Sequence, residues 1–179
     1  MIDWLILTGG AGSRLGQDKA TTRIAGRTML ERVQEAITQA DPQARIRILG
    51  PRFGGGPAAA VTTALAQCRS PYVGVVAVDM PMAKDAIAAV LAAIDDQAEA
   101  WIPEAADGRR QWLCAVYRRS ALLREAGDRD WTDQPFHQLV SGLTDRTVSV
   151  GSSASLLDID TPADLKQAVA QIEESEGMG

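Results

Sequence analysis

The sequence predicts an α/β fold built on a mostly parallel sheet, and three observations carry that expectation. Short apolar runs alternate with helical periodicities along the chain. The first of these runs opens directly into a glycine-rich loop, and the run from Tyr72 to Val78 is nearly continuous in apolar, β-branched residues. Alternation of this kind builds βαβ units, and a strand without a polar face suits a sheet covered on both sides.

In order, Ile2 to Thr8 reads as the first strand, followed by the loop "GGAGSRLGQDKA". The stretch "TMLERVQEAITQA" has helical spacing, with Thr28 and Glu31 placed as a capping box. Arg45 to Gly50 is a second strand, and a helix runs from Pro57 to about Cys68 with proline in its first turn. Residues 72 to 78 form a third, central parallel strand, and "AKDAIAAVLAAI" returns the chain as a helix to a strand near "AEAWIP". "DGRRQ" is a turn, "LCAVYR" a strand, and residues 119 to 143 hold two short helices joined by a polar loop. "SLLDIDTPADLKQAVAQI" reads as a last strand and helix, capped by Thr161 with Pro162 first and Asp164 three residues after the cap.

A chain of 179 residues with 46% hydrophobic residues makes one domain, residues 1 to 172, with 173 to 179 as a polar, flexible tail. A net charge of −5 argues against a nucleic-acid or anionic-membrane surface. No apolar run is long enough to span a bilayer and no signal sequence is evident, so the expected location is cytoplasmic. Cys68 and Cys114 read as small core residues. His137, the single histidine, reads as partly packed on a helix, which leaves no room for a multi-histidine metal site.

The first loop begins where an α/β sheet binds its ligands, at a strand's carboxyl end. It is not a Walker loop, because Lys19 follows Asp18 and precedes Ala20. Nor is it a dinucleotide fingerprint, because the spacing of Gly10, Gly12 and Gly16 is one residue too long. What remains is a longer loop whose glycines let backbone N–H groups approach a ligand while Arg14 and Lys19 supply positive charge, which suits a triphosphate. The plainer reading is a glycine-rich turn with two solvated cations.

Leu7-Thr8-Gly9-Gly10, with Ser13, Leu15, Gly16 and Asp18-Lys19, resembles the Leu-Ala-Gly-Gly…Arg-Met-Gly-x-Asp-Lys signature of molybdenum cofactor guanylyltransferases. "GGGPAAAV", "VDMP" and "DIDTPADL" are similar, in the same order, to that family's Gly-Pro-Leu-Ala-Gly, Asp-x-Pro and Asn-x-Asn-Thr-Pro-Glu-Asp-Leu regions. The resemblance implies a three-layer α/β/α, Rossmann-like fold of the nucleotidyltransferase type. It also implies magnesium-dependent transfer of GMP from GTP to molybdopterin, releasing pyrophosphate. Carried over by position, Leu7, Thr8, Gly9 and Gly10 bind the nucleotide, Arg14 and Lys19 hold phosphates, and Asp79 binds both nucleotide and metal. The partners implied are GTP, molybdopterin or molybdenum cofactor, and the molybdoenzymes or chaperones that receive the product. The chain departs from the pattern at Thr8, where alanine is usual, and in the short stretch between Gly50 and Pro57. It departs again at Asp158 and Asp160, which replace asparagines, and at Trp112, which stands where proline is common.

Mg²⁺ needs only a few carboxylates beside water and phosphate oxygens, so Asp79, at the end of an apolar strand, is its first candidate ligand. A turn or helix-capping carboxylate is the alternative. Asp158 and Asp160 share one face of an extended "SLLDIDT": Asp158 is the second metal candidate, while Asp160 equally suits a cap or brace for the next helix. Rival activities are a cytidylyltransferase acting on the same pterin and a transferase acting on a sugar phosphate, with a non-catalytic nucleotide-binding module as the alternative of another class.

Overall fold

In the computed structural model, which describes residues 1–9, 18–151 and 153–177, helices cover both faces of a six-stranded sheet. The strands are β1 (Asp3–Leu7), β4 (Arg45–Leu49), β5 (Tyr72–Ala77), β6 (Ala100–Glu104), β7 (Cys114–Arg118) and β8 (Asp145–Ser149), in the order β4-β1-β5-β7-β6-β8. β1 pairs parallel with β4 and β5, and β6 pairs parallel with β8. β7 alone is reversed, antiparallel to β5 and to β6. A two-stranded hairpin, β2 (Arg23–Ile24) and β3 (Arg27–Thr28), stands apart. Its turn places Ala25 and Gly26 at positive φ, and a pair so short leaves no period-2 signal in the sequence.

Side chains alternate across the sheet, and each set meets its own helices. Trp4, Ile6, Val76, Trp101, Cys114 and Val116 lie in one cluster with residues of α1 (Met29–Ala40), α3 (Lys84–Ala92) and α6 (Pro162–Gly177). Leu5, Leu7, Val73, Val75, Ala115 and Tyr117 lie in the other, with α2 (Gly56–Leu65), α4 (Arg119–Ala126) and α5 (Phe136–Val140). The period of two along each strand thus generates the three layers. The close approach of Trp4 to β5 depends on Gly74, since a Cβ there would lie 2.2 to 2.5 Å from the indole ring atoms. That indole donates to Asp41, at the end of α1. At the amino end of β1 the buried carboxylate of Asp3 accepts from the backbone N–H groups of Arg69 and Ser70, 2.7 Å each.

The capping boxes are present as expected: Thr28 with Glu31 opens α1, and Thr161 with Asp164 opens α6. Both cysteines are buried. Three expectations are corrected. The stretch around "SLLDID" is not a strand: Ser153–Leu156 is a 3-10 turn and residues 157–160 are extended but unpaired with the sheet. The strand completing that edge is β8, whose largely exposed "DRTVS" carries no apolar run and no pattern to reveal it. α6 continues through Gly177, so residues 173–177 are helix where a tail was expected. β5 is central and buried as read, yet parallel on one side only, because a strand's direction is not written in its composition.

Candidate active site

The site forms along the sheet edge where β1 and β5 end. Past Leu7, the N–H and hydroxyl of Thr8 both donate to the Leu49 carbonyl, at 3.1 and 3.2 Å, while Val78 N–H donates to Leu7 O at 3.0 Å. Adjacent strands are therefore held in register one residue beyond the sheet. The Leu7 side chain is in the core, so what it offers a ligand is backbone. Gly9 is exposed, and among the described residues a Cβ there would meet no atom within 4 Å. Gly10 and Arg14 lie outside the described residues.

The chain returns at Asp18 in a tight turn. Asp18 O accepts from the N–H groups and hydroxyls of Thr21 and Thr22, and its carboxylate accepts from Ala20 N–H at 3.0 Å. Local hydrogen bonds of this kind fix the backbone of a long, flexible lysine. The Lys19 ammonium lies between two carboxylates, 2.8 Å from Asp79 Oδ2 and 2.5 Å from Asp160 Oδ1. Burial alone would depress its pKa, but the hydrogen bonds and charges of Asp160 and Asp79 outweigh that and raise it. Lys19 therefore keeps its proton at neutral pH.

Asp79 follows β5, and its carbonyl accepts from Ile159 N–H at 2.9 Å. That bond, with Gln111 Nε2 donating to Leu156 O at 3.1 Å, docks the segment before α6 beside the end of β5 and takes the place of the sheet ladder expected for it. Ile159 is buried, so its neighbours Asp158 and Asp160 are turned the other way. Asp160 delivers its carboxylate to Lys19, while the capping of α6 falls to Thr161 and Asp164; of the readings open for Asp160, helix capping by its side chain is not what the structure has. Asp158 accepts from Gln111 Nε2 at 2.9 Å and lies 3.8 Å from Arg109. Its pKa is raised, chiefly by burial and further by the charges of Asp79 and Asp160, with Gln111 and Arg109 opposing.

These carboxylates line a cleft of about 390 Å³ whose other walls include Pro57, Gln111, Trp112, Phe136 and His137. His137 is exposed on that wall, where packing on a helix was expected; the core side of α5 is taken by Phe136, Leu139 and Val140. Sequence reasoning missed the contribution of Gln111 altogether and met Trp112 only as a departure from the family pattern. Both precede β7, and because that strand is reversed its amino end lies beside the carboxyl ends of its neighbours. Ala77 N–H donates to Leu113 O at 2.8 Å, which sets Trp112 next to the path into Asp79. Nothing in composition signals that reversal.

A sheet of this order, with a glycine loop after β1 and an aspartate after β5, has the α/β nucleotidyltransferase fold. The molybdopterin-guanine dinucleotide biosynthesis protein A of Archaeoglobus fulgidus superposes with a TM-score of 0.72 at 22% identity, over 96% of this chain and 99% of that one. Residues 4–146 match the MobA-like NTP transferase domain, and the chain belongs to that family. Probable molybdenum cofactor guanylyltransferases of Mycobacterium marinum and Chloroflexus aggregans are 31% and 30% identical to it. The alignments cover 92% and 96% of this chain, and 92% and 95% of theirs. The domain match takes in Lys19 and Asp79 and stops before Asp158 and Asp160. No helix among the described residues is long and apolar enough to cross a membrane.

Proposed function

We propose that this protein transfers GMP from GTP to the phosphate of molybdopterin, as the free ligand or the molybdenum cofactor, releasing pyrophosphate. The observation that carries the reading is the Lys19 ammonium at the end of the glycine loop, held against Asp79 and Asp160. A cation paired this way is charged, close to the end of β1, and able to exchange a carboxylate partner for phosphate oxygens. The names of the relatives supply the guanine and the pterin.

The donor set fits Mg²⁺. Among the described residues no cluster of three or more His, Cys, Asp or Glu side chains could hold a metal by itself. Mg²⁺ does not require one, because it keeps water and binds through one or two carboxylates plus substrate phosphates. Asp79 would hold it, with Asp160 or Asp158 as the second carboxylate. Bound there, the ion would neutralise the triphosphate and the charge that develops on departing pyrophosphate.

The chain's own residues do the rest. The backbone at Thr8 and Gly9 receives the nucleoside at the end of β1, with Gly10 next in the sequence and Arg14 and Lys19 as the phosphate cations. A new bond forms from an acceptor phosphate oxygen to the α-phosphorus as the bond from that phosphorus to the bridging oxygen breaks. The electron pair leaves with pyrophosphate. An acceptor phosphate is already ionised near neutral pH, so the step asks no side chain to remove a proton. Holding two anions in line is the main demand, and positioning with charge neutralisation meets it. The deciding experiment measures pyrophosphate release with each of GTP, CTP, ATP and UTP, with and without molybdopterin. Release with GTP and molybdopterin together is expected; a preference for CTP would end the guanylyl assignment.

A further inference from the structure

We propose that Trp112 is the stacking platform for the planar ring of the acceptor, and so the residue by which this chain selects a flat heteroaromatic phosphate over a sugar or polyol phosphate. The inference rests on the transferase reading above and deepens it on the acceptor side.

Three observations converge on this residue. The chain has four tryptophans, of which Trp4, Trp101 and Trp131 are buried at 1%, 0% and 5% exposure, while Trp112 is partly exposed and lines the cleft that holds Asp79 and Asp158. A large aromatic surface left open at a polar site has forgone part of the burial that stabilises its counterparts in the core. Its backbone, moreover, is fixed. The Tyr117 hydroxyl donates to Trp112 O at 2.7 Å, and the next residue is bonded to the end of β5, so the ring is presented from an ordered strand start. The Arg110 guanidinium lies over the ring, 5.9 Å from its centroid, and is itself tied to Glu104 and Asp145, while the indole is partly packed against the core cluster of α2, α4 and α5; what it offers a ligand is the part of its surface that lines the cleft.

The order of strands decides which substrate meets this ring. Thr8 and Gly9 follow β1 and Trp112 precedes β7, so they flank β5 from opposite sides with Asp79 beyond the end of β5 between them. A nucleotide held by Thr8 and Gly9, with Lys19 on its phosphates, has those phosphates near Asp79 and its base away from Trp112. The ring of the second substrate then takes the Trp112 side, with its phosphate toward Asp79. His137 and Phe136 form part of the same apolar wall. Lys19 offsets Asp79 and Asp160 on the side where the phosphate sits, and the wall at Trp112 meets the neutral ring.

Steady-state transfer and direct binding test this together. Loss of a ring-on-ring stack costs roughly ten- to a hundredfold in affinity, so Trp112→Leu is expected to raise KM for molybdopterin by that factor. The GTP KM should stay within about twofold, and Trp112→Phe should recover most of the acceptor KM. Independently of turnover, 6-carboxypterin should quench the tryptophan emission of the wild-type protein and not that of a Trp112→Leu variant with unchanged melting temperature. An unmoved acceptor KM, or a rise confined to GTP, overturns the assignment while the transferase reading stands. A wild-type protein that transfers no GMP to molybdopterin defeats the transferase reading instead. In that case pterin quenching that vanishes with Trp112→Leu still supports the platform, and quenching that survives the substitution, or is absent from the wild type, overturns it.

Discussion

The two halves of the sheet deliver site residues in opposite ways. In β4-β1-β5 all strands run together, and Thr8, Gly9 and Asp79 follow the carboxyl ends of β1 and β5. In β7-β6-β8 the reversed β7 brings Gln111 and Trp112 from its amino end. The parallel half obeys the rule that α/β sheets bind ligands past strand carboxyl ends, so its residues are found by locating apolar runs and reading what comes next. The other half breaks that rule at one strand, and its residues stand before the run. Its polar groups also work differently: Gln111 holds Asp158, whereas Lys19 in the first half neutralises Asp79 and Asp160 directly.

Substitutions on either side of this divide should separate chemistry from scaffolding. The largest effect is expected at the seam. Asp79→Asn keeps shape and one oxygen but loses the charge, and guanylyl transfer should fall roughly a hundredfold or more with an unchanged melting temperature. Near wild-type turnover at limiting Mg²⁺ would show that Asp79 serves the turn and not the ion. A smaller effect belongs to the parallel half. Lys19→Ala should weaken GTP by about ten- to a hundredfold, the scale of a hydrogen bond to a charged group, and leave guanosine nearly unaffected. Titration calorimetry with both ligands checks this, and equal losses would assign the lysine to folding.

The smallest effect lies at the far end of β1 and concerns stability alone. Burial opposes ionisation of Asp3, but the N–H groups of Arg69 and Ser70 outweigh it and hold its pKa below the ordinary carboxylate value. A pKa depressed by folding contributes stability that is present above the unfolded value and is lost as pH falls toward the folded one. Asp3→Asn should therefore cost about 1–2 kcal/mol at pH 7 and flatten the acid limb of the stability profile below about pH 4, with transfer per folded molecule unchanged. Urea melts from pH 3 to 7 provide the measurement. Parallel profiles for the two proteins would remove Asp3 from the account.

Legibility followed the same divide. The capping pairs at Thr28 and Thr161 were readable because a cap is a local rule, complete within four residues. β5 and its aspartate were readable because a buried strand is apolar on both faces. β8 was not, since an exposed edge strand carries no such signature, and "SLLDID" mimicked a strand because a short segment that buries Leu156 and Ile159 and turns Asp158 and Asp160 outward reads like one. The link from Lys19 to Asp160, and the place of Trp112 and His137 on the wall of the cleft, are tertiary facts, and no spacing in the chain encodes them.

The Lys19–Asp160 contact joins residues 141 positions apart. A site closed by so distant a pair cannot mature as the chain emerges during synthesis: the glycine loop is made among the first twenty residues and waits for nearly all the rest before Asp160 can reach it. Closing so long a span carries an entropic cost that only prior assembly of the sheet reduces, which places completion of the site late in folding. Half-made chains therefore carry the glycine loop without the carboxylate that restrains its lysine, and closure of the site becomes a signal that the whole domain has been built.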